Sequence, residues 1–248
     1  MAAASAFAHA VDLALANPSL GVGCHLTLVD AHAVASAREI PSLADPDGRL
    51  PATLAAFVAR VSSGMIRRTD MERELRAQIT KIKAAGISPT HLDTHKHTHA
   101  HPRVLDALGR VAQEFGIHRI RKPIESLRHS WSSRAPIRQR IAASAARIVT
   151  PIFRTLSRRY DLHSPDNFLG LASTGRLDPT ALRLLIDTLP PGQTEIMLHP
   201  GICDVDLTRT GTRLERERES ELHALLDPAV RRALSAQGVQ LITYKDLA

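Results

Sequence analysis

Residues 90 to 102 read THLDTHKHTHAHP, with His91, Asp93, His95, His97 and His99 on every second position. In an extended chain alternate side chains share a face. The spacing therefore predicts a strand with these five groups on one side and Leu92, Thr94, Lys96 and Thr98 on the other. Imidazoles and a carboxylate cannot pack as an apolar core, because each buried polar group needs a partner. Neutral imidazole is the commonest protein metal ligand, and carboxylate is the oxygen donor that accompanies it. The strand thus points to a metal or acid/base site. A His-rich surface tract is the plainer alternative, but the interior position, Asp93 and the helix that follows argue against it.

The flanking sequence places this strand in an α/β pattern. An Ala-rich helix is expected over residues 2 to 16, then a strand in GVGCHLTLV, then a Pro/Asp/Gly-dense loop over 40 to 51. Helical spacing covers about 52 to 62 and 70 to 85, where Gly86 is a natural stop. Pro102 opens a helix that Gly116 closes. A short strand is expected over 117 to 121, a helix over 178 to 189 and a strand over 194 to 198. Helices over about 212 to 226 and 228 to 237 precede a last strand over 239 to 244. Strands alternating with helices predict a mainly parallel sheet or barrel. With 248 residues, one domain over 1–248 suffices.

Composition narrows the partners. The formal net charge is +7, which suits an anionic surface. Cys24 and Cys203 give no disulfide framework and fit a reducing cytoplasm. No apolar run approaches the ~20 residues of a membrane span. Residues 128 to 160 break the strand–helix rhythm. There Arg134, Arg138, Arg140, Arg147, Arg154, Arg158 and Arg159 alternate with Ile137, Ile141, Ile148, Ile152, Phe153 and Leu156. This is a basic amphipathic helical insertion, interrupted by Pro151, and peripheral contact with an anionic membrane through residues 134–159 is one reading. A solvated lid is the other. Nucleic acid is not expected, since only Trp131, Phe153 and Tyr160 are at hand for stacking and no recognition motif is present.

Catalytic groups in parallel α/β proteins gather at the C-terminal ends of strands. Three such ends carry histidine: His25 in GVGCHLTL, His91 to His99 in THLDTHKHTH, and His199 in EIMLHPG. These motifs, with FGIHRIRKP and NFLGLASTG, resemble the YdjC-like carbohydrate deacetylases, and most nearly the hopanoid-biosynthesis-associated branch. The resemblance implies a (β/α) barrel of the polysaccharide-deacetylase type that hydrolyses N-acetyl groups from an amino sugar with one divalent cation, Mg²⁺ or Zn²⁺. It implies His25 and His95 as metal ligands and His199 as acid or oxyanion stabiliser. Asp93, on the face of His95, is the expected catalytic partner, orienting a ligand or the water, or else a group supporting a ligand from behind, while Arg121 and His97 are the expected substrate contacts.

The family's first strand ends in Asp-Asp-Phe-Gly, which supplies a ligand and a base. The chain as given lacks that motif, and Met1 aligns with the second strand. The expectation is therefore a barrel without its first strand–helix unit, in a cytoplasmic and at most membrane-associated protein that could form a homodimer. The alternative is a catalytically impaired relative that keeps weak metal or sugar binding. A phosphoesterase built on a histidine-rich barrel would need more strand-end carboxylates than are present.

Overall fold

The computed structural model describes residues 1–132 and 135–247. Arg134, which opens the basic series, lies outside the described residues. In chain order the elements are α1 (Phe7–Ala16), β1 (Cys24–Leu26), α2 (Leu54–Ser62), α3 (Arg68–Ala84), β2 (Leu92–Thr94), α4 (Pro102–Phe115), α5 (Leu127–Ser132) and α6 (Ile137–Ala145). They continue with α7 (Thr150–Arg159), β3 (Asn167–Leu169), α8 (Pro179–Ile186), β4 (Thr194–Ile196), α9 (Val205–Arg209), α10 (Arg216–Leu226) and α11 (Pro228–Ala236). Two compact units result: Met1–Arg121 with Val149–Ser164 and Thr243–Ala248, and Lys122–Ile148 with Pro165–Ile242. The fold class is α/β, as the strand–helix alternation indicates.

In the first unit β1 and β2 run parallel, with His25 opposite Asp93 and Leu26 opposite Thr94. Parallel neighbours need a crossover, which α2 and α3 supply. The strand expected over 117 to 121 reduces to two parallel bridging pairs, Leu92 with Ile120 and Arg119 with His163. Helix α3 buries Met71, Leu75, Ile79 and Ile82, one residue per turn. It also buries Asp70, Glu74 and Gln78, and these polar groups pin the long segment after β1. Glu74 accepts the amides of Val34 and Ala35, Asp70 accepts Ser42 N–H, and Gln78 pairs with both backbone groups of Thr27. These bonds fix a Pro-rich loop whose Leu28, Val29, Ile40, Leu43 and Leu50 are also buried.

Helix α4 starts at Pro102, is capped by the His101 imidazole and ends at Gly116 in the left-handed region. It packs against α3 and α7. At Gly109 a Cβ would lie 2.2 Å from Tyr160 Cδ2, so the absent side chain is what lets α7 approach. Pro151, an interruption in the sequence pattern, sits in the first turn of α7, where its missing N–H has no helical partner to lose. The basic segment therefore divides: α7 buries Phe153 in the first unit, whereas α5 and α6 belong to the second.

The second unit pairs β3 with β4 in parallel, Asn167 opposite Thr194. Leu182, Ile186, Ala224 and Val230 from α8, α10 and α11 form its core, with Ile196 and Leu198 packed against them. Buried Glu125 accepts the amides of Gly170 and Ala172 and the Ser130 hydroxyl, which fixes the NFLGLASTG loop. Gly170 has φ +99°, and a Cβ there would meet the Met197 carbonyl at 2.6 Å.

Two strand expectations fail for local reasons. Residues 239 to 244 form no strand. Instead Thr243 caps the turn Tyr244–Asp246, and the Asp246 carboxylate accepts the Thr243 N–H. A reciprocal capping box satisfies donors that a strand would have needed a neighbour to pair. The histidine strand also stops early, at Thr94, and a 3₁₀ turn covers His95–Ala100. Lys96 and His97 both have positive φ, 53° and 52°. The period of two therefore ends at His95, and His97 and His99 do not continue its face.

Candidate active site

The parallel register of β1 and β2 sets His25 beside Asp93, 68 positions apart in sequence. His25 Nδ1–H donates to Asp93 Oδ2 at 2.8 Å. The same oxygen accepts from Arg121 Nη1 at 2.6 Å, and Asp93 is only 4% exposed. Burial works against this carboxylate, but the hydrogen bond and charge of His25 and the charge of Arg121 overcome it. They hold the acid well below the ordinary carboxylate range. With Nδ1 committed as donor, neutral His25 carries its lone pair on Nε2.

His95 approaches from the turn after β2. Its ring centroid is 5.6 Å from that of His25, at an interplanar angle of 80°. Burial, then the neighbouring His25 and Lys96, push the His95 imidazole down to about 4, so at neutral pH it is an uncharged donor of a lone pair. Lys96 is drawn outward to Asp30, Nζ to Oδ2 at 2.6 Å.

Two of the remaining histidines of the motif, His99 and His91, build the scaffold. His99 is fully buried. Its Nε2 faces the Arg121 carbonyl at 2.9 Å, which can only accept, so Nε2 carries the proton. Nδ1 then accepts from the Thr94 hydroxyl at 2.6 Å, and that hydroxyl accepts the His99 N–H at 3.0 Å. This closed pair holds the left-handed turn in place and burial keeps the ring neutral, down to about 4. His91 stacks on Tyr244 with centroids 3.7 Å apart. Its ring fills the space beside Gly23, where a Cβ would come within 2.4 Å. His97 is half-buried and pushed to about 3, by burial first and then by His99 and Arg121. Cys24, buried beside the site, has its thiol pushed up to about 12 by desolvation and is no nucleophile.

The structure thus brings together His25, Asp93, His95 and Arg121 of the six site residues expected from sequence. Arg121 faces the carboxylate of Asp93, so it braces that group. His199 belongs to the second unit, just after β4. Its backbone N–H donates to Glu221 Oε2 at 2.5 Å, and Nδ1 stands 3.8 Å from the same oxygen. Glu221 is 1% exposed and was missed in the sequence. In RERESELHALL a carboxylate reads as solvent-facing, and only its three-residue spacing to buried Ala224 marks the inner face.

A divalent cation is the cofactor the sequence motifs imply. His25 and His95 are two nitrogen donors, whereas catalytic zinc sites take three protein ligands. Among the described residues no group of three or more His, Cys, Asp and Glu is placed to hold a metal ion. The donor set is partial.

The first unit thus carries a His–Asp pair on adjoining parallel strands, and the second, by itself, a histidine after β4 whose backbone a buried carboxylate holds. The family model described as YdjC-like protein matches residues 1–236, and the chain belongs to that family. A carbohydrate deacetylase of Geobacillus stearothermophilus is 34% identical over 247 residues, covering 99% of this chain and 84% of that protein. The human carbohydrate deacetylase is 30% identical over 247 residues, covering 92% and 75%. A solved structure, of a candidate cellobiose-phosphate cleavage protein of Enterococcus faecalis V583, superposes with TM-score 0.77 at 21% identity. It covers 100% of this chain and 86% of that one, a likeness of fold.

Proposed function

We propose that this chain is a carbohydrate deacetylase that hydrolyses the N-acetyl group of an amino sugar. The observation that carries the reading is the hydrogen bond from His25 Nδ1 to Asp93 Oδ2. It presents Nε2 of His25 as a lone pair with a fixed direction, backed by a carboxylate that stabilises the imidazolium as a proton arrives. That is the arrangement a general base needs to take a proton from attacking water. The departing amine must be protonated, and His199 is the expected donor. Its backbone is held by Glu221.

A (β/α) barrel of the polysaccharide-deacetylase type is the frame this reading assumes. The substrate is a chitooligosaccharide or a glycosyl hopanoid, and the sugar contacts include His97. A divalent cation, Mg²⁺ or Zn²⁺, is the alternative use of the same Nε2 lone pair: shared by His25 and His95, it would make His25 a ligand in place of the base. When bound it would polarise the acetyl carbonyl. The test is acetate release from N-acetylglucosamine oligomers with Mg²⁺ and with Zn²⁺. Turnover that disappears in His25→Ala supports the reading, and turnover unaffected by His25→Ala overturns it.

One observation favours a second reading. Because the described residues offer only two of the usual metal donors, the chain could hold a sugar without turning it over. Saturable binding of the same oligomers with no acetate release under either metal would select that alternative.

A further inference from the structure

From Ser126 to Ile148 the sequence contains five arginines and no aspartate, glutamate or lysine. Within the second unit this stretch supplies α5 and α6. Helix α6 buries Ala143 and turns Ile137 and Ile141, each 55% exposed, outward with Arg138, Ala142 and Ala145. A surface helix normally does the reverse, keeping its large aliphatic groups inside. The apolar side continues through Ile148, 81% exposed, and through Leu127 and Trp131 of α5. Trp131 is bonded through its indole N–H to Ser144 Oγ at 3.1 Å. Its ring also carries the Arg140 guanidinium 4.5 Å from the centroid. The indole is thus fixed in orientation while nearly half of it stays open.

Apolar exposure alone would say nothing about an occupant. Helix α1 also exposes Leu13 and Leu15, but it has no arginine and nothing there indicates what would cover it. Around α5 and α6 the apolar groups coincide with an unbroken run of positive charge, and that combination selects among partners. A nucleic acid would be attracted by the arginines, yet Ile137, Ile141 and Ile148 gain nothing from phosphates. A bilayer with anionic headgroups rewards both halves, since isoleucine and tryptophan enter the headgroup–acyl boundary while arginine stays at the phosphates. We infer that α5, α6 and Ile148 form a docking surface for an anionic lipid bilayer. No helix among the described residues is long and apolar enough to cross a membrane, so the contact is peripheral. This inference goes beyond the sugar chemistry and does not depend on it.

The test is co-sedimentation of the full chain with vesicles of phosphatidylcholine containing about a third phosphatidylserine, in low salt, without substrate. Binding should exceed that to pure phosphatidylcholine by more than tenfold and fade towards 1 M salt, where the screening length shrinks to ~3 Å. Arg138→Ala with Arg147→Ala should weaken it about twenty- to thirtyfold, since ~1 kcal/mol per basic side chain near such a surface is about fivefold. Ile141→Glu should abolish it, and because Ile141 is exposed the variant should keep the parent's circular dichroism. Four results would overturn the inference. They are no sedimentation at low salt, equal binding to neutral vesicles, full retention by the arginine variant, and displacement by an oligonucleotide of equal charge that binds more tightly than the vesicles. Dimerisation that is lost in Ile141→Glu with no vesicle binding would assign the face to a second copy instead.

Discussion

Glu221 Oε2 accepts the backbone N–H of His199 and at the same time stands 3.8 Å from that residue's Nδ1. Its other oxygen faces the Leu177 amide at 3.5 Å. One buried carboxylate therefore fixes the loop after β4, reaches back to the segment before α8, and lies within electrostatic range of the imidazole it positions.

Replacing Glu221 by Ala should leave the His199 and Leu177 amides unpaired in a dry setting. The expected cost is about 2–4 kcal/mol of stability, the penalty for two unsatisfied buried donors. Glu221→Gln keeps an acceptor for one amide and removes the charge. It should unfold at a urea midpoint near wild type yet lower kcat for acetate release more than it raises KM. A glutamine variant with unchanged kcat would leave Glu221 as a loop anchor only.

Asp93→Asn tests the pair on β1 and β2. An amide can still accept from His25 Nδ1–H, but it carries no charge to stabilise an imidazolium or to face Arg121. Activity should fall by ~10²- to 10⁴-fold, the range of general acid–base contributions. His25→Ala combined with Asp93→Asn should be little worse than either alone, because the two act as one unit. Independent, multiplicative losses in the double variant would contradict a His25–Asp93 dyad.

The strand ends that carry these residues were legible in the sequence, because His25 and His199 follow short apolar runs, Asp93 lies in the alternating histidine stretch, and helical patterns separate the three. The juxtaposition of His25 and Asp93 was not. It depends on the register of two parallel strands, a non-local choice that neither segment encodes alone. The turn at Lys96 and His97 was hidden for a different reason. Positive φ is expected of glycine or asparagine, whereas here Thr94 and His99 impose it through a pair of hydrogen bonds. Glu221, Glu125, Glu74 and Asp70 share one blind spot. A carboxylate that holds backbone amides is indistinguishable in sequence from one that faces water.

Gly109→Ala probes the approach of α4 and α7. The new Cβ would lie 2.2 Å from the Tyr160 ring, and that ring is held by a hydrogen bond from its hydroxyl to Asp106. Alanine is the better helix former, so an open site would be stabilised. Here overpacking should dominate at about 1–3 kcal/mol. A raised melting temperature would show that Tyr160 yields easily.

The buried histidines predict acid lability in a defined window. His91 and His99 are each pushed to about 4, by burial first, against ~6.5 in an unfolded chain. Below pH 6.5 the unfolded state takes up protons that the folded rings refuse, so stability should decline as pH falls from about 6.5 towards 4. Asp93, held low, loses its contribution only below its unfolded value of ~3.9, outside that window. Urea midpoints at pH 7.5 and 5 measure the decline. His91→Phe, which keeps an aromatic face for Tyr244 and cannot titrate, should reduce the slope. A pH-independent midpoint for the parent chain would contradict the burial argument.

The last prediction concerns the imidazole pair. Asp93 commits Nδ1 of His25 as a donor, so the lone pair is on Nε2, and His95, neutral above about 4, offers its own across a 5.6 Å separation of ring centroids. Two neutral nitrogens suit Zn²⁺, which is content with imidazole, far better than Mg²⁺, which prefers oxygen and retains its waters. Calorimetric titration of the metal-stripped chain, with no substrate present, should therefore show Zn²⁺ binding and no measurable Mg²⁺ binding. His25→Ala or His95→Ala should remove it. Asp93→Asn should weaken it by ~10- to 100-fold, the usual effect of losing the carboxylate behind a ligating histidine. Zinc uptake unchanged in both alanine variants would place the metal elsewhere and leave His25 and Asp93 as an acid–base pair only.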